Sequence, residues 1–232
     1  MKPWELLGET RTPDGTQITL TRRDREYIIL AGGKPLMSNR MHGSEQALAT
    51  FGCRHVPDET PSVLVGGLGM GFTLRATLDV LPHDATVHVA ELVPAVVDWN
   101  RGPLGPLAGH PLLDARVRVE AGDVGETIRA SVGRFDAILL DVDNGPDAFT
   151  ATGNASLYDD RGLAAARGAL RHGGVLAVWS AWEDRKFEQR LRYAGFRVAV
   201  ERVRARLKQG GPRHTIFLAT KVLPPEATTA ER

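Results

Sequence analysis

The 232 residues carry 29 Lys and Arg against 28 Asp and Glu, a formal net charge of +1, and 42% of them are hydrophobic. That balance excludes a general nucleic-acid binder and a membrane-surface protein, and no apolar run approaches the roughly 18 residues that cross a bilayer. The single cysteine, Cys53, excludes an intrachain disulfide framework and suits a reducing cytosol.

The first stretch, MKPWELLGETRTPDG, has one early lysine and no apolar signal core. We therefore expect a soluble, cytoplasmic protein of one main domain with a small appendage. Short β-prone pieces follow in TQITLTRRDREYIILAGGKPLMS. They predict strands near 16–22, 26–31 and 35–38, with Gly32-Gly33 turning between the last two. SEQALATFGC then reads as a short helix with Ser44 as its N-cap. This N-terminal β unit, residues 1–45, is too small to stand alone and should lean on the main domain or on another subunit.

From residue 60 strands and helices alternate. SVLVGG precedes a helix from about Gly71 to Leu81, ATVHVAEL one from about Pro94, and RVRVEAGD one ending near Ser131. FDAILLDVD leads through a loop to DDRGLAAARGALR, and GGVLAVWSA to EDRKFEQRLRYAG. Ala137 to Leu140 is apolar on both faces, as in parallel strands covered by helices on each side. Right-handed crossovers make such a sheet doubly wound. Only LKQGG separates FRVAVERVRA from RHTIFLAT, so these last strands form an antiparallel hairpin. The fold class is α/β: a seven-stranded Rossmann-like sheet of the class I methyltransferase type over 46–221, with the small β unit before it. The polar, proline-paired tail 222–232 is expected to be disordered.

In VLVGGLGMGFTLRATL, residues 63–78, Gly66, Gly67, Gly69 and Gly71 form a bare turn between strand and helix. Such a turn either packs the helix on its own sheet or lets a ligand approach the backbone at the sheet's switch point. Glu91 ends the second strand, where an acid bonds a ribose diol. Asp123 opens the helix after the third strand, as an N-cap or as an acceptor for an adenine amino group. Phe72 stands where a third glycine would complete G-x-G-x-x-G. With the terminal hairpin, this favours a sulfonium nucleoside of the S-adenosylmethionine type over NAD.

These pieces together resemble the spermidine synthase (polyamine aminopropyltransferase) family, up to about residue 220. The resemblance is carried by SEQALA, VLVGGLGMGFTLRATL, HVAELVPAVVDWNR, ARVRVEAGDVGETI, FDAILLDVDNGPD and SLYDDRGLAAARGALRHGGVLAVWS. It implies an adenosyl group on the glycine turn, its ribose on Glu91 and its adenine near Asp123. It also implies that Asp141, after the fourth strand, faces an incoming amine. A primary amine has a pKa of about 10.4 and arrives protonated, and a carboxylate can hold it, orient it and help remove its proton. Otherwise Asp141 is a polar strand end bonded to the next loop. Asp143 shares its face if the strand persists, and starts the loop if it does not. The implied co-substrate is S-adenosylmethionine or its decarboxylated form, with no metal, a small amine as acceptor and a homodimer as the assembly.

The sequence departs from the family in the half that grips the aminopropyl chain and the diamine. Met70 and Asn144 stand where the family has acids, and its β-unit glutamine falls near Leu36. Its Tyr-His-Glu turn is shortened to Gly43-Ser44-Glu45. Two other readings stay open: a small-molecule methyltransferase, and a non-catalytic nucleoside-binding relict. Arg202, Arg204 and Arg206 alternate onto one strand face, which suits a nucleic-acid surface or, more cheaply, a guarded sheet edge. The seven histidines show no metal-ligand spacing, and Trp99, Trp179 and Trp182 read as packing residues, Trp182 least clearly.

Overall fold

The computed structural model describes residues 2–57, 59–142, 155–206 and 210–222. Strands β1 (Glu5–Arg11), β2 (Gln17–Arg23), β3 (Glu26–Ala31) and β4 (Lys34–Ser38) form an antiparallel meander in that order. The last three fall where the sequence predicts strands, and β1 is an addition. ELLGETR lacks a clean apolar alternation, and at the sheet's edge none of its residues is fully buried. It is instead fitted by a close approach, because a Cβ at Gly8 would strike the Trp99 indole. Ile18, Leu20 and Ile29 turn inward and join the core of the larger sheet, so the meander leans on the main body as expected.

Helix α1 (Gly43–Gly52) follows, and here the sequence reading is corrected. His42, not Ser44, holds the N-cap position, with no side-chain cap bond. The helix begins earlier because the Gly43 N–H donates to the Ala205 carbonyl at 2.8 Å, which ties its first turn to the far hairpin. Ser44 therefore lies inside the helix and is fully buried.

The main sheet contains β5 (Ser62–Gly66), β6 (Thr86–Glu91), β7 (Val117–Ala121), β8 (Phe135–Leu140), β9 (Leu170–Ser180), β10 (Phe196–Arg204) and β11 (Arg213–Lys221). Their order is β10-β11-β9-β8-β5-β6-β7. β5 to β9 pair in parallel, while β11 runs antiparallel to both its neighbours. This is the seven-stranded plan expected, with the chain order reversing at β5.

Alternation along the strands splits the core into two layers. Val63, Val65, Val87, Val89, Leu139 and Ala177 pack with α1, α2 (Phe72–Val80) and α3 (Pro94–Arg101). Leu64, Ala90, Ile138, Leu140, Leu176 and Val178 pack with α4 (Val124–Arg129), α6 (Asp160–Ala169) and α7 (Arg185–Tyr193), beside the short α5 (Ala155–Tyr158). At the amino end of β8, buried Asp136 accepts bonds from Ser62 N at 2.8 Å and Arg171 Nη1 at 2.7 Å, clamping three strands together. The carboxyl ends at the opposite edge are thereby left to the loops that carry the chemistry-bearing side chains. Among the described residues, no helix is long and apolar enough to cross a membrane. The tail from residue 223, like Asp143 and Asn144, lies outside the described residues.

Candidate active site

Four strand ends are brought level at the switch point. The Gly66 carbonyl accepts from Asp141 N at 2.9 Å, and Gly67 N donates to the Ala90 carbonyl at 2.9 Å. Gly122 N donates to the Glu91 carbonyl at 2.9 Å. The glycine turn, Glu91, Asp123 and Asp141 therefore share one rim. The turn's own geometry accounts for its glycines. Gly67 has φ +86°, and a Cβ there would sit 2.5 Å from the Asp141 carbonyl oxygen. At Gly69, φ +51°, it would meet Met37 Sδ of β4 at 2.9 Å. Left-handed backbone and close packing both require glycine at these places. Buried Asn100, which sequence reasoning passed over, holds the turn from α3: its Nδ2 donates to the Gly69 carbonyl at 2.8 Å.

Glu91 is buried, and burial pushes its carboxyl above the ordinary range. Opposing that shift, Oε2 accepts from Leu68 N at 2.8 Å and Oε1 from Val93 N at 2.9 Å. The side chain thus pins the glycine turn to the end of β6, with the Gly69 and Leu92 N–H groups also turned toward it. Asp123 caps α4 through a 2.7 Å bond from Gly125 N, with Arg129 Nη2 3.9 Å from its other oxygen. Capping is its visible role.

Asp141 follows β8 directly. Burial raises its carboxyl to about 6, against the Thr73 hydroxyl, which donates to Oδ2 at 2.5 Å from the first turn of α2. A second carboxylate faces the same region. Glu45, only 7% exposed, is raised to about 7, first by burial and then by the charge of Asp141. Ser44 opposes this shift, its Oγ 2.6 Å from Glu45 Oε2. His214, near the start of β11, places Nδ1 2.9 Å from the same Oγ, its ring edge-on to Trp179. Sequence reasoning kept Glu45 only through the family resemblance and dismissed His214 with the other histidines. A signal was present for Glu45: Leu48, Ala49 and Gly52 follow it at three, four and seven residues, which puts the carboxylate on the buried face of α1.

Met70 is fully buried and belongs to the core cluster that packs α1, α2 and α3 on the sheet. The hairpin arginine Arg202 is bound by Glu183 through two hydrogen bonds, an ion pair at the sheet edge. Trp99 is buried, whereas Trp182 is 42% exposed beside His214 in an open pocket.

No family model matches the sequence, and no curated protein matches it significantly. Solved structures do resemble it. A spermidine synthase in complex with the transition-state analogue AdoDATO and the spermidine synthase of Thermotoga maritima each superpose with a TM-score of 0.72 at 18% identity, over 95% of this chain and 74% of theirs. A probable spermidine synthase from Corynebacterium glutamicum gives 0.63 at 16% identity, over 96% and 83%. From its N-terminal meander to its terminal hairpin, the chain has the spermidine synthase fold.

Proposed function

We propose that the protein transfers an alkyl group, specifically aminopropyl, from decarboxylated S-adenosylmethionine to a small amine. The observation that carries this reading is the pair of carboxylates beside the glycine turn, buried Glu45 and partly buried Asp141. Two coupled acids in a partly desolvated place are costly unless a cation joins them. An ammonium group is a cation of the right size and hydrogen-bonding capacity. Raised proton affinity also makes the acids better bases. At about 6 rather than 3.8, Asp141 stands closer to an amine by about 3 kcal/mol of proton-transfer free energy.

The chemistry follows from the rim. Glu91 and the turn would hold the nucleoside, with Asp123 near its adenine. Asp141 would take a proton from the bound ammonium, and the freed lone pair would attack the carbon beside the sulfonium. That carbon–sulfur bond breaks with its electrons going to sulfur, leaving a neutral thioether and a secondary ammonium. Asp143, two residues on in sequence, would assist. The complex of a fold relative with AdoDATO supports a decarboxylated donor. A homodimer through the meander is part of the proposal, supported by Leu6 and Leu36, exposed apolar side chains on its two edge strands. Calorimetric titration with S-adenosylmethionine and its decarboxylated form, side by side, tests the donor. Tighter binding of the decarboxylated form is expected, and preference for the intact one would indicate a methyltransferase.

A further inference from the structure

Ser44 has a single hydroxyl proton and two neighbours that want it. Its Oγ lies 2.6 Å from Glu45 Oε2 and 2.9 Å from His214 Nδ1. An ionised carboxylate only accepts hydrogen bonds, so with Glu45 ionised the serine must donate to it. The 2.9 Å contact then holds only if His214 donates in turn, which places its proton on Nδ1 and leaves Nε2 bare. The imidazole's place is fixed by its edge contact with Trp179, ring centroids 4.6 Å apart. Its outer side opens on a pocket of about 390 Å³ shared with Trp182 and Arg213.

We propose that His214 and Ser44 act as positioning residues, a one-way chain of donors that aims Glu45 at the acceptor site. The purpose of the chain rests on the amine-transfer reading; its direction rests on the hydrogen-bond geometry with Glu45 ionised. Without the serine bond, burial and the neighbouring Asp141 charge would push the Glu45 carboxyl up further, and the site would attract a cation less at neutral pH. Among the described residues, the charged and titratable groups around the chain are Asp141 at the end of β8, His42 at the start of α1, and Arg213, Arg202 and Glu183 around the outer pocket. Arg202 and Glu183 neutralise each other, so Asp141 dominates the field at Glu45.

The test reads the free, full-length protein by nitrogen-15 NMR of the imidazole and carbon-13 NMR of the carboxyl. At pH 8, His214 is expected in the Nδ1–H form, which Ser44→Ala should convert to Nε2–H. The Glu45 midpoint should rise by about one unit in Ser44→Ala, the tenfold change in proton affinity that losing one such bond implies, and by less in His214→Phe, where the serine still donates but has lost the donor behind it. With a transfer assay in hand, Ser44→Ala should lose about fivefold in amine affinity at pH 7 and recover most of it at pH 8.5, a pH rescue that a merely structural defect would not show. An Nε2–H tautomer in the wild type, or a Glu45 midpoint unmoved in both variants, overturns the proposal. The wild-type tautomer decides even if the variants fail to fold. Absence of any transfer by the wild type would instead overturn the amine reading and leave the tautomer result standing.

Discussion

The Thr73 hydroxyl donates to Asp141 Oδ2 across 68 residues of sequence, at 2.5 Å. That bond joins the first turn of α2 to the end of β8, so the helix that follows the glycine turn also orients the carboxylate opposite it. Asp141 is fixed before any substrate arrives, which is what catalysis by positioning requires.

Asp141→Asn is expected to leave adenosyl-thioether affinity nearly unchanged and to lower single-turnover transfer by about 10²–10⁴, the range for a lost general base. Asp136, at the other end of β8, is the control. Asp136→Ala strands the Ser62 N–H and Arg171, and should cost on the order of 1–3 kcal/mol of stability without a matching loss of rate per folded molecule. Denaturant unfolding and single-turnover rates on both variants separate the two roles. Equal rates for Asp141→Asn and wild type would remove Asp141 from the mechanism.

Glu91 calls for a gentler substitution than alanine. Glu91→Ala would orphan the Leu68 and Val93 N–H groups, each costing on the order of 1–3 kcal/mol, so the turn would loosen along with any ribose contact. Glu91→Gln keeps one acceptor oxygen. We expect it to fold with a modest loss of stability and to bind methylthioadenosine at least tenfold more weakly, about the worth of one charge-assisted bond. Unchanged affinity by calorimetry would reduce Glu91 to a loop pin.

At Asp123 two roles are separable. Asp123→Ser keeps an N-cap for α4 but removes the carboxylate that would accept from adenine. Stability within about 0.5 kcal/mol of wild type with weakened adenosine binding is expected. Equal adenosine affinity would leave Asp123 as a cap alone.

The carboxylate pair also fixes a pH dependence. Glu45 and Asp141 are raised to about 7 and about 6 from 4.5 and 3.8, and burial raises Glu91 as well. Between those limits the folded protein holds protons that the unfolded chain has released. Stability from these groups therefore falls as pH rises from about 4 to 7. Thermal unfolding of the free protein, wild type minus Glu45→Gln, should show a difference that shifts against the wild type from pH 5 to pH 8. A diamine should reduce it by supplying the missing cation. A difference independent of pH would contradict the assignment.

Much of this was legible in the chain because parallel strands covered on both faces announce themselves as apolar runs, and because clustered glycines mark the left-handed turn after β5. β1 was not legible: an edge strand with no fully buried residue has no pattern to show. Ser44 misled because serine before an apolar run is a good N-cap signal, and only the Gly43 to Ala205 bond, between segments 162 positions apart, moves the helix start. His214 belongs to the site through tertiary contact alone, 170 residues from its partner serine. No spacing rule reaches that far. The glycine turn carried its reading for a second reason besides ligand approach, since Gly67 must also clear the Asp141 carbonyl.

The most direct test of the account is a single turnover of the purified wild-type protein, with products identified by mass spectrometry. Decarboxylated S-adenosylmethionine with a panel of small primary amines should give methylthioadenosine and an amine heavier by one aminopropyl group. S-adenosylmethionine with the same panel should give no methylated product. Release of S-adenosylhomocysteine with a methylated acceptor, and no methylthioadenosine from the decarboxylated donor, would contradict it.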